Sequence, residues 1–291
     1  MRTDKLNLAI KKVLGESSKK MLTKCLFPFR NDFILFNISN RAKDRQVNLN
    51  YWDESNNLGD TLSPVVVNYM LEQRNIKPDI KVKEKKHLYA IGSVLTAGIQ
   101  DATVWGSGIL NAKLTYRLEK RKLDIRAVRG PVTRTILMDY GFNVPEVYGD
   151  PAILMPEIYK AVPSKNKKKY GLITHKDYIL NEKYEEDKVI RLNICTDDYR
   201  DFLDQLVSVD IVISSSLHGI ILAESYGVPA VLLKPQIDIV KYYDYYYSTG
   251  RISFPMAESI KQAMLVKPAE LPELDELREK LKKEFPYDLY K

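Results

Sequence analysis

The stretch Asp210–Lys234, DIVISSSLHGIILAESYGVPAVLLK, decides the fold. Its opening "DIVISS" is a short apolar run of strand length, "GIILAESYG" is helical from about Gly219, and "PAVLLK" is a second strand after the break at Gly227 and Pro229. Strand, turn, helix and strand with almost no polar alternation is the grammar of a parallel sheet covered on both faces. The turn after the first strand then lies at the carboxyl end of the sheet, where open α/β folds bind ligands. Ser214, Ser215, Ser216 and His218 sit on that turn, and His218 is one of only three histidines in the chain. Unsatisfied N–H groups and the dipole of the following helix favour an anion there, and an imidazole beside it can move a proton. The competing reading gives the serines to helix capping and His218 to a neighbouring loop.

Working outward, the same pattern recurs from residue 31. "VNLNYW" (47–52) reads as a strand, "NNLGD" (56–60) as its loop, and Thr61 to Arg74 as a helix with Pro64 in its first turn. "HLYAIGS", "ATVWGSG" and "DIRAVRG" read as further strands, the last followed by a helix from Pro131 to Tyr140 that Gly141 closes. "KAVPSKNKKKY" lacks periodicity and reads as a linker, after which "KYGLITH", "KVIRLNI", a capped helix from Thr196 or Asp197, and the opening stretch build a second α/β unit. The expected domains are a basic amphipathic segment at 1–30, a Rossmann-like unit at 31–160, a linker at 161–170, a second unit at 171–268 and a terminal helix at 269–291 that returns to the first unit.

Ligands are expected in the crevice where the two units face each other. Arg129, at the end of "AVRG", faces it, with Arg134 about one turn into the next helix; guanidinium forks of this kind hold carboxylate or phosphate. Asn57, Asp60, Trp105, Ser107 and Asp150 have the same strand-end placement and suit a sugar, by hydroxyl bonding or by stacking on a pyranose face. "KYYDYYYSTG" (241–250) adds Lys241 and Tyr245, as a carbohydrate platform or as packing.

The chain has 291 residues with 45% hydrophobic and 29% charged, enough for a sizeable core. Cys25 and Cys195 are its two cysteines and lack metal-ligand spacing, so neither a disulfide framework nor a metal site is expected. No apolar run reaches the ~20 residues of a membrane span, and no signal peptide is recognisable, which places the protein in the cytoplasm. Residues 1–30 carry eight lysines and arginines against Asp4 and Glu16, most of the formal net charge of +7. That segment is either a solvated helix or a peripheral contact with anionic membrane. No basic stripe interleaved with aromatics recurs downstream, so nucleic acid is not an expected partner.

In order, "NLGD", "AIGSVL", "VWGSG", "VRGPVTR", "YGDPAIL", "SSLHGIILAESYGVPAV" and "KYYDYYYSTG" resemble the polysaccharide pyruvyl transferase family, and look most like bacterial enzymes that place ketal pyruvate on exopolysaccharide and capsule repeat units. The resemblance covers roughly 48–251 and leaves out the basic segment. It implies a GT-B-like fold of two facing Rossmann-type domains, with phosphoenolpyruvate as co-substrate rather than a bound cofactor. The acceptor it implies is a sugar diol, for which the 4,6-positions of galactose or another hexose fit a six-membered ketal, free or carried on undecaprenyl diphosphate at the inner membrane face. Arg129 matches the family's strand-end arginine that contacts phosphoenolpyruvate, and His218 its catalytic histidine. Some relatives carry arginine just before the Leu-His pair where this chain has Ser216, so Arg134, Lys241 or the serine turn must supply that charge. The rivals are a GT-B glycosyltransferase using a nucleotide sugar, and a noncatalytic carbohydrate-binding protein on the same scaffold.

Overall fold

The structure is a computed structural model and describes residues 45–291 apart from 53–55, 97–99, 111, 120 and 186. The basic segment at 1–30, its amphipathic helices and its membrane contact lie outside the described residues. Two parallel sheets organise the rest. In the first, β1 (Val47–Asn50), β2 (Lys86–Tyr89), β3 (Ala102–Trp105) and β4 (Leu123–Ala127) pair in chain order. Parallel pairing demands crossovers, and α1 (Leu58–Glu72) provides the first, ahead of β2. Helix α2 (Pro131–Asp139) follows β4.

The second sheet runs β6-β5-β7-β8-β9, again all parallel: β5 (Lys168–Ile173), β6 (Val189–Arg191), β7 (Val209–Ser214), β8 (Ala230–Leu233) and β9 (Met256–Ala257). Between the sheets the chain forms the short α3 (Met155–Ile158); α4 (Tyr199–Leu206), α5 (Leu217–Ser225) and α6 (Val240–Ser248) cross the second sheet, α7 (Ile260–Ala263) follows its last strand, and α8 (Asp275–Lys283) ends the chain with a 3-10 turn at Tyr287–Tyr290. Mixed α/β with parallel sheets is thus the fold, as the apolar runs of strand length required.

One apolar cluster spans both sheets, joining Leu62 and Val66 of α1, Trp105 of β3, Ile220 and Ile221 of α5, and Tyr242 of α6 to Leu281 and Phe285. The C-terminal tail does return to the first sheet. Trp105 Nε1 donates to the Leu281 carbonyl at 2.8 Å, the Tyr287 hydroxyl donates to the Met70 carbonyl at 2.9 Å, and Arg126 pairs with Asp288 at 2.8 Å.

Four boundaries differ from the sequence reading. Helix α1 begins at Leu58, not Thr61, because buried Leu58 donates its N–H to the Ile194 carbonyl and Asn57 takes the extended cap conformation; Pro64 therefore lies inside the helix. Helix α5 begins at Leu217, so His218 belongs to its first turn rather than to the loop before it. Helix α4 is capped by Asp198, whose carboxylate accepts from the N–H groups of Arg200 and Asp201. Strand β5 reaches back to Lys168, into the stretch read as linker, since the Lys168 N–H donates to the Ser208 carbonyl while its ammonium reaches the Asp187 carbonyl. Lysines suit that end of a strand because it opens to solvent.

Candidate active site

Loops at the carboxyl ends of strands from both sheets enclose a cavity of about 420 Å³, within the usual range for small-molecule sites. The first sheet supplies Trp52 and Asn57 after β1, with Asp60 in the first turn of α1, and Ser93 and Thr96 after β2. The second supplies His175, Lys176 and Asp177 after β5, Ser216 and His218 after β7, and Asp238 and Lys241 after β8.

His218 sits deep in this cavity, 8% exposed. Its ring lies against the bare Cα of Gly59: a Cβ there would stand 1.8 Å from Nδ1. The first turns of α1 and α5 thus approach each other through a glycine, and any larger residue would displace the imidazole. Nε2 points the other way, 3.5 Å from Oδ2 of the wholly buried Asp150.

Lys241 lies 7% exposed in the same wall. Burial, reinforced by the positive charge of Arg129, lowers its ammonium to about 8, against the opposing pull of Asp60 and Asp177. Burial also raises the Asp60 carboxyl, although His218, the Asn57 side-chain amide at 2.5 Å and Lys241 counteract it. His175 is pushed down to about 4, first by burial and then by Lys241, so its imidazole is neutral around pH 7. With Lys176 at the rim, the cavity combines buried cations with a few carboxylates and suits an anionic ligand that carries hydroxyl-bearing neighbours.

Several expected site residues are elsewhere. Arg129 is fully buried beneath the cavity and spans three partners: Nε donates to Asp244 Oδ2 at 3.0 Å, Nη1 to Ser93 Oγ at 2.6 Å and Nη2 to the Ile109 carbonyl at 2.7 Å. It reaches the cavity through Ser93 and through its field, not as part of the wall. Arg134 turns away to the Val144 carbonyl and Glu146, because one helical turn carries it to the outer face of α2. Ser214 is consumed by the turn, with its Oγ bonded to the Ser216 carbonyl and N–H; Ser215 accepts from the His175 N–H. Of the three serines Ser216 alone lines the cavity.

Of the residues expected to contact a sugar, Trp105 and Ser107 are corrected to the core. Trp105 is wholly buried, edge-on to Phe285 at 4.8 Å, and the Ser107 hydroxyl donates to the Gly92 carbonyl. Tyr245 is corrected as well: α6 turns Tyr242, Tyr245 and Tyr246 inward at helical spacing, and the Tyr245 hydroxyl donates to Glu224, itself clamped by Arg251. Asp150 caps the 3-10 turn at Pro151–Leu154 through Oδ1 and is sealed from the cavity. Asn57, Asp60, Lys241 and His218 are where the sequence placed them.

Trp52, Ser93, Thr96, His175, Lys176, Asp177 and Asp238 are the polar and aromatic cavity residues that sequence reasoning missed. His175 was within reach, since it ends the strand "KYGLITH" by the same rule that selected His218. Trp52 was masked by its place in an expected strand; the strand stops at Asn50.

A buried lysine, a histidine in the first turn of a helix and a cavity at strand ends make up the candidate site of this α/β protein. The polysaccharide pyruvyl transferase family profile matches residues 4–236, and the chain belongs to that family. It is therefore a pyruvyltransferase, and its family transfers pyruvyl groups to polysaccharide. The match starts well before residue 48 and so takes in most of the basic segment, which the resemblance had left out; it stops short of the tyrosine-rich helix. An uncharacterized protein of Acanthamoeba polyphaga mimivirus is 27% identical over 219 residues, covering 69% of this chain and 74% of its own. A solved structure of a functionally uncharacterized Klebsiella pneumoniae protein aligns over 76% of this chain and 92% of its own, with 13% identity and a TM-score of 0.45. Among the described residues no cluster of three or more His, Cys, Asp or Glu side chains is placed to hold a metal, and no helix is long and apolar enough to cross a membrane.

Proposed function

We propose that this pyruvyltransferase takes phosphoenolpyruvate as donor and a sugar diol of a polysaccharide repeat unit as acceptor, and that the reaction occurs in the cavity between the two sheets. The observation that carries the reading is that Lys241 shares one cavity wall with Ser216 and His218, which open α5. First-turn N–H groups of a helix lack intrahelical acceptors, so with the ammonium of Lys241 they form a cradle for phosphate. Lys241 also answers the departure at Ser216, where some relatives carry arginine. The convergence of strand-end loops fits a GT-B-like pair of facing Rossmann-type units.

The chemistry starts with proton delivery to the methylene carbon, which makes C2 electrophilic. A sugar hydroxyl attacks C2 and loses its proton, with His218 as the acid–base group. Phosphate then departs into the Lys241 and helix cradle, and the second hydroxyl closes the ketal and releases its proton to phosphate. One diol proton thus ends in the new methyl group and the other on phosphate. Asn57 and Asp60 hold acceptor hydroxyls, and Trp52 takes the stacking role first given to Trp105. A 4,6-diol of galactose or another hexose is the acceptor form we favour. A lipid-linked acceptor, reached by a cytoplasmic enzyme resting on the inner membrane face through residues 1–30, completes the reading.

The test is calorimetric titration with phosphoenolpyruvate and, separately, with nucleotide sugars, on wild type and Lys241→Met. Saturable phosphoenolpyruvate binding that weakens on the order of tenfold or more in the variant, as loss of a charge-assisted contact predicts, supports the reading. Binding of a nucleotide sugar alone overturns it.

A further inference from the structure

Among the described residues five buried side-chain polar atoms lack a hydrogen-bond partner, and two of them face each other: Oδ2 of Asp150 and Nε2 of His218, both sealed from solvent, are 3.5 Å apart. Leaving a carboxylate oxygen and a ring nitrogen unsatisfied in a dry interior is costly, and each is the chemical complement of the other. At 3.5 Å the two atoms are a few tenths of an ångström from hydrogen-bond distance, which a small ring rotation closes.

We propose that Asp150 is the positioning residue of His218: it accepts the Nε2 proton, fixes the imidazole as the Nε2–H tautomer, and leaves Nδ1 as the nitrogen that exchanges a proton with substrate. The proposal rests on the acid–base reading of His218. Three features converge on it. Asp150 cannot serve the acceptor directly, since it is wholly buried and its Oδ1 is committed to the Ala152 N–H at 3.1 Å. That commitment locks the carboxylate plane on a capped turn, which holds Oδ2 towards the ring. Nδ1, the ring nitrogen turned away from Asp150, lies against Gly59 at the first turn of α1, and the neighbouring Asp60 shares the cavity wall with His218. Gly59 thus leaves room for the working nitrogen while Asp150 holds the opposite one.

The test uses the full chain labelled with ¹⁵N-histidine and long-range proton–nitrogen NMR at alkaline pH, with the His218 signal identified by its loss in His218→Gln. Wild type is expected to show the Nε2–H tautomer. Asp150→Asn is nearly isosteric and keeps Oδ1 on the cap, so its amide N–H turns to Nε2 and forces the proton onto Nδ1. The His87 and His175 signals should stay in place and report an intact fold. In phosphate-release assays with phosphoenolpyruvate and a chromogenic hexoside bearing free 4- and 6-hydroxyls, Asp150→Asn should lower kcat on the order of 100-fold while the donor's calorimetric Kd is unchanged. A wild-type Nδ1–H tautomer, or an Asp150→Asn variant with unchanged tautomer and kcat, overturns the proposal. The tautomer is read without turnover, so an active His218→Ala enzyme would instead remove the acid–base reading on which the dyad depends.

Discussion

Two strand-to-helix junctions look alike in sequence and end in opposite roles. At the end of β4, Arg129 precedes a helix started by Pro131; at the end of β7, the serines and His218 precede and open α5. Both lie at carboxyl ends of parallel strands, where ligands are expected. His218 lines the cavity, whereas Arg129 is locked beneath it by a carboxylate from α6. The closeness of that helix is visible at Gly130, where a Cβ would stand 1.9 Å from the Asp244 carbonyl oxygen. Strand-end placement makes a polar residue a candidate, and a partner arriving from elsewhere in the chain decides between ligand and framework.

The largest expected effect tests the framework half. Asp244 takes the Arg129 Nε, the Thr133 N–H and the Thr133 hydroxyl, all inside the core. Arg129→Ala leaves that carboxylate buried without its cation, which should lower unfolding free energy by about 3–5 kcal/mol in chemical denaturation. A variant of unchanged stability that loses only phosphoenolpyruvate binding would break the comparison and return Arg129 to the ligand. His218→Ala should do the reverse: turnover falls on the order of 100-fold or more, with a smaller loss of stability than Arg129→Ala because only the Asp150 Oδ2 contact is removed. Near-normal ketal formation by that variant would remove the catalytic half of the contrast.

Gly59→Ala sharpens the same contrast within one residue. Alanine in a helix interior is favoured over glycine by about 1 kcal/mol, so a purely structural position would gain stability. Here the new Cβ meets the His218 ring, and the imidazole must move. Turnover is expected to drop on the order of tenfold, the scale of a misplaced reacting group, with no matching loss of donor affinity. A more stable variant with full activity would show that the ring position next to α1 is irrelevant.

How much of this was legible in the sequence follows from range. The parallel sheets were legible because an apolar run of strand length followed by a helical stretch is a local signal, and so was the placement of His218, Asn57 and Asp60 at strand ends. The fates of Trp105, Tyr245 and Arg129 were not, because each is decided by a residue far along the chain: Leu281, Glu224 and Asp244. The tyrosine run shows the point most sharply, since its i, i+3 and i+4 spacing states which tyrosines share a face but not that the face turns inward. Helix starts were missed by two or three residues for a related reason. Leu58 enters α1 by bonding to Ile194, a contact no local pattern announces.

The smallest expected effect concerns the buried ammonium of Lys241 in the cavity wall. Its ammonium is lowered from the ordinary 10.5 to about 8, first by burial and then by Arg129. For stability the sign is plain: between about pH 8 and 10.5 the unfolded chain holds a proton that the folded chain has released, so this group's contribution rises with pH and is lost as pH falls through about 8. Donor binding should move the opposite way, because a phosphate in the α5 cradle needs the charged ammonium. The calorimetric Kd for phosphoenolpyruvate is expected to be flat up to about pH 7.5 and to weaken on the order of tenfold per unit beyond about 8, while Lys241→Met binds weakly at every pH with no such slope. A pH slope that survives in Lys241→Met would assign the sensitivity to another group and take Lys241 out of the donor cradle.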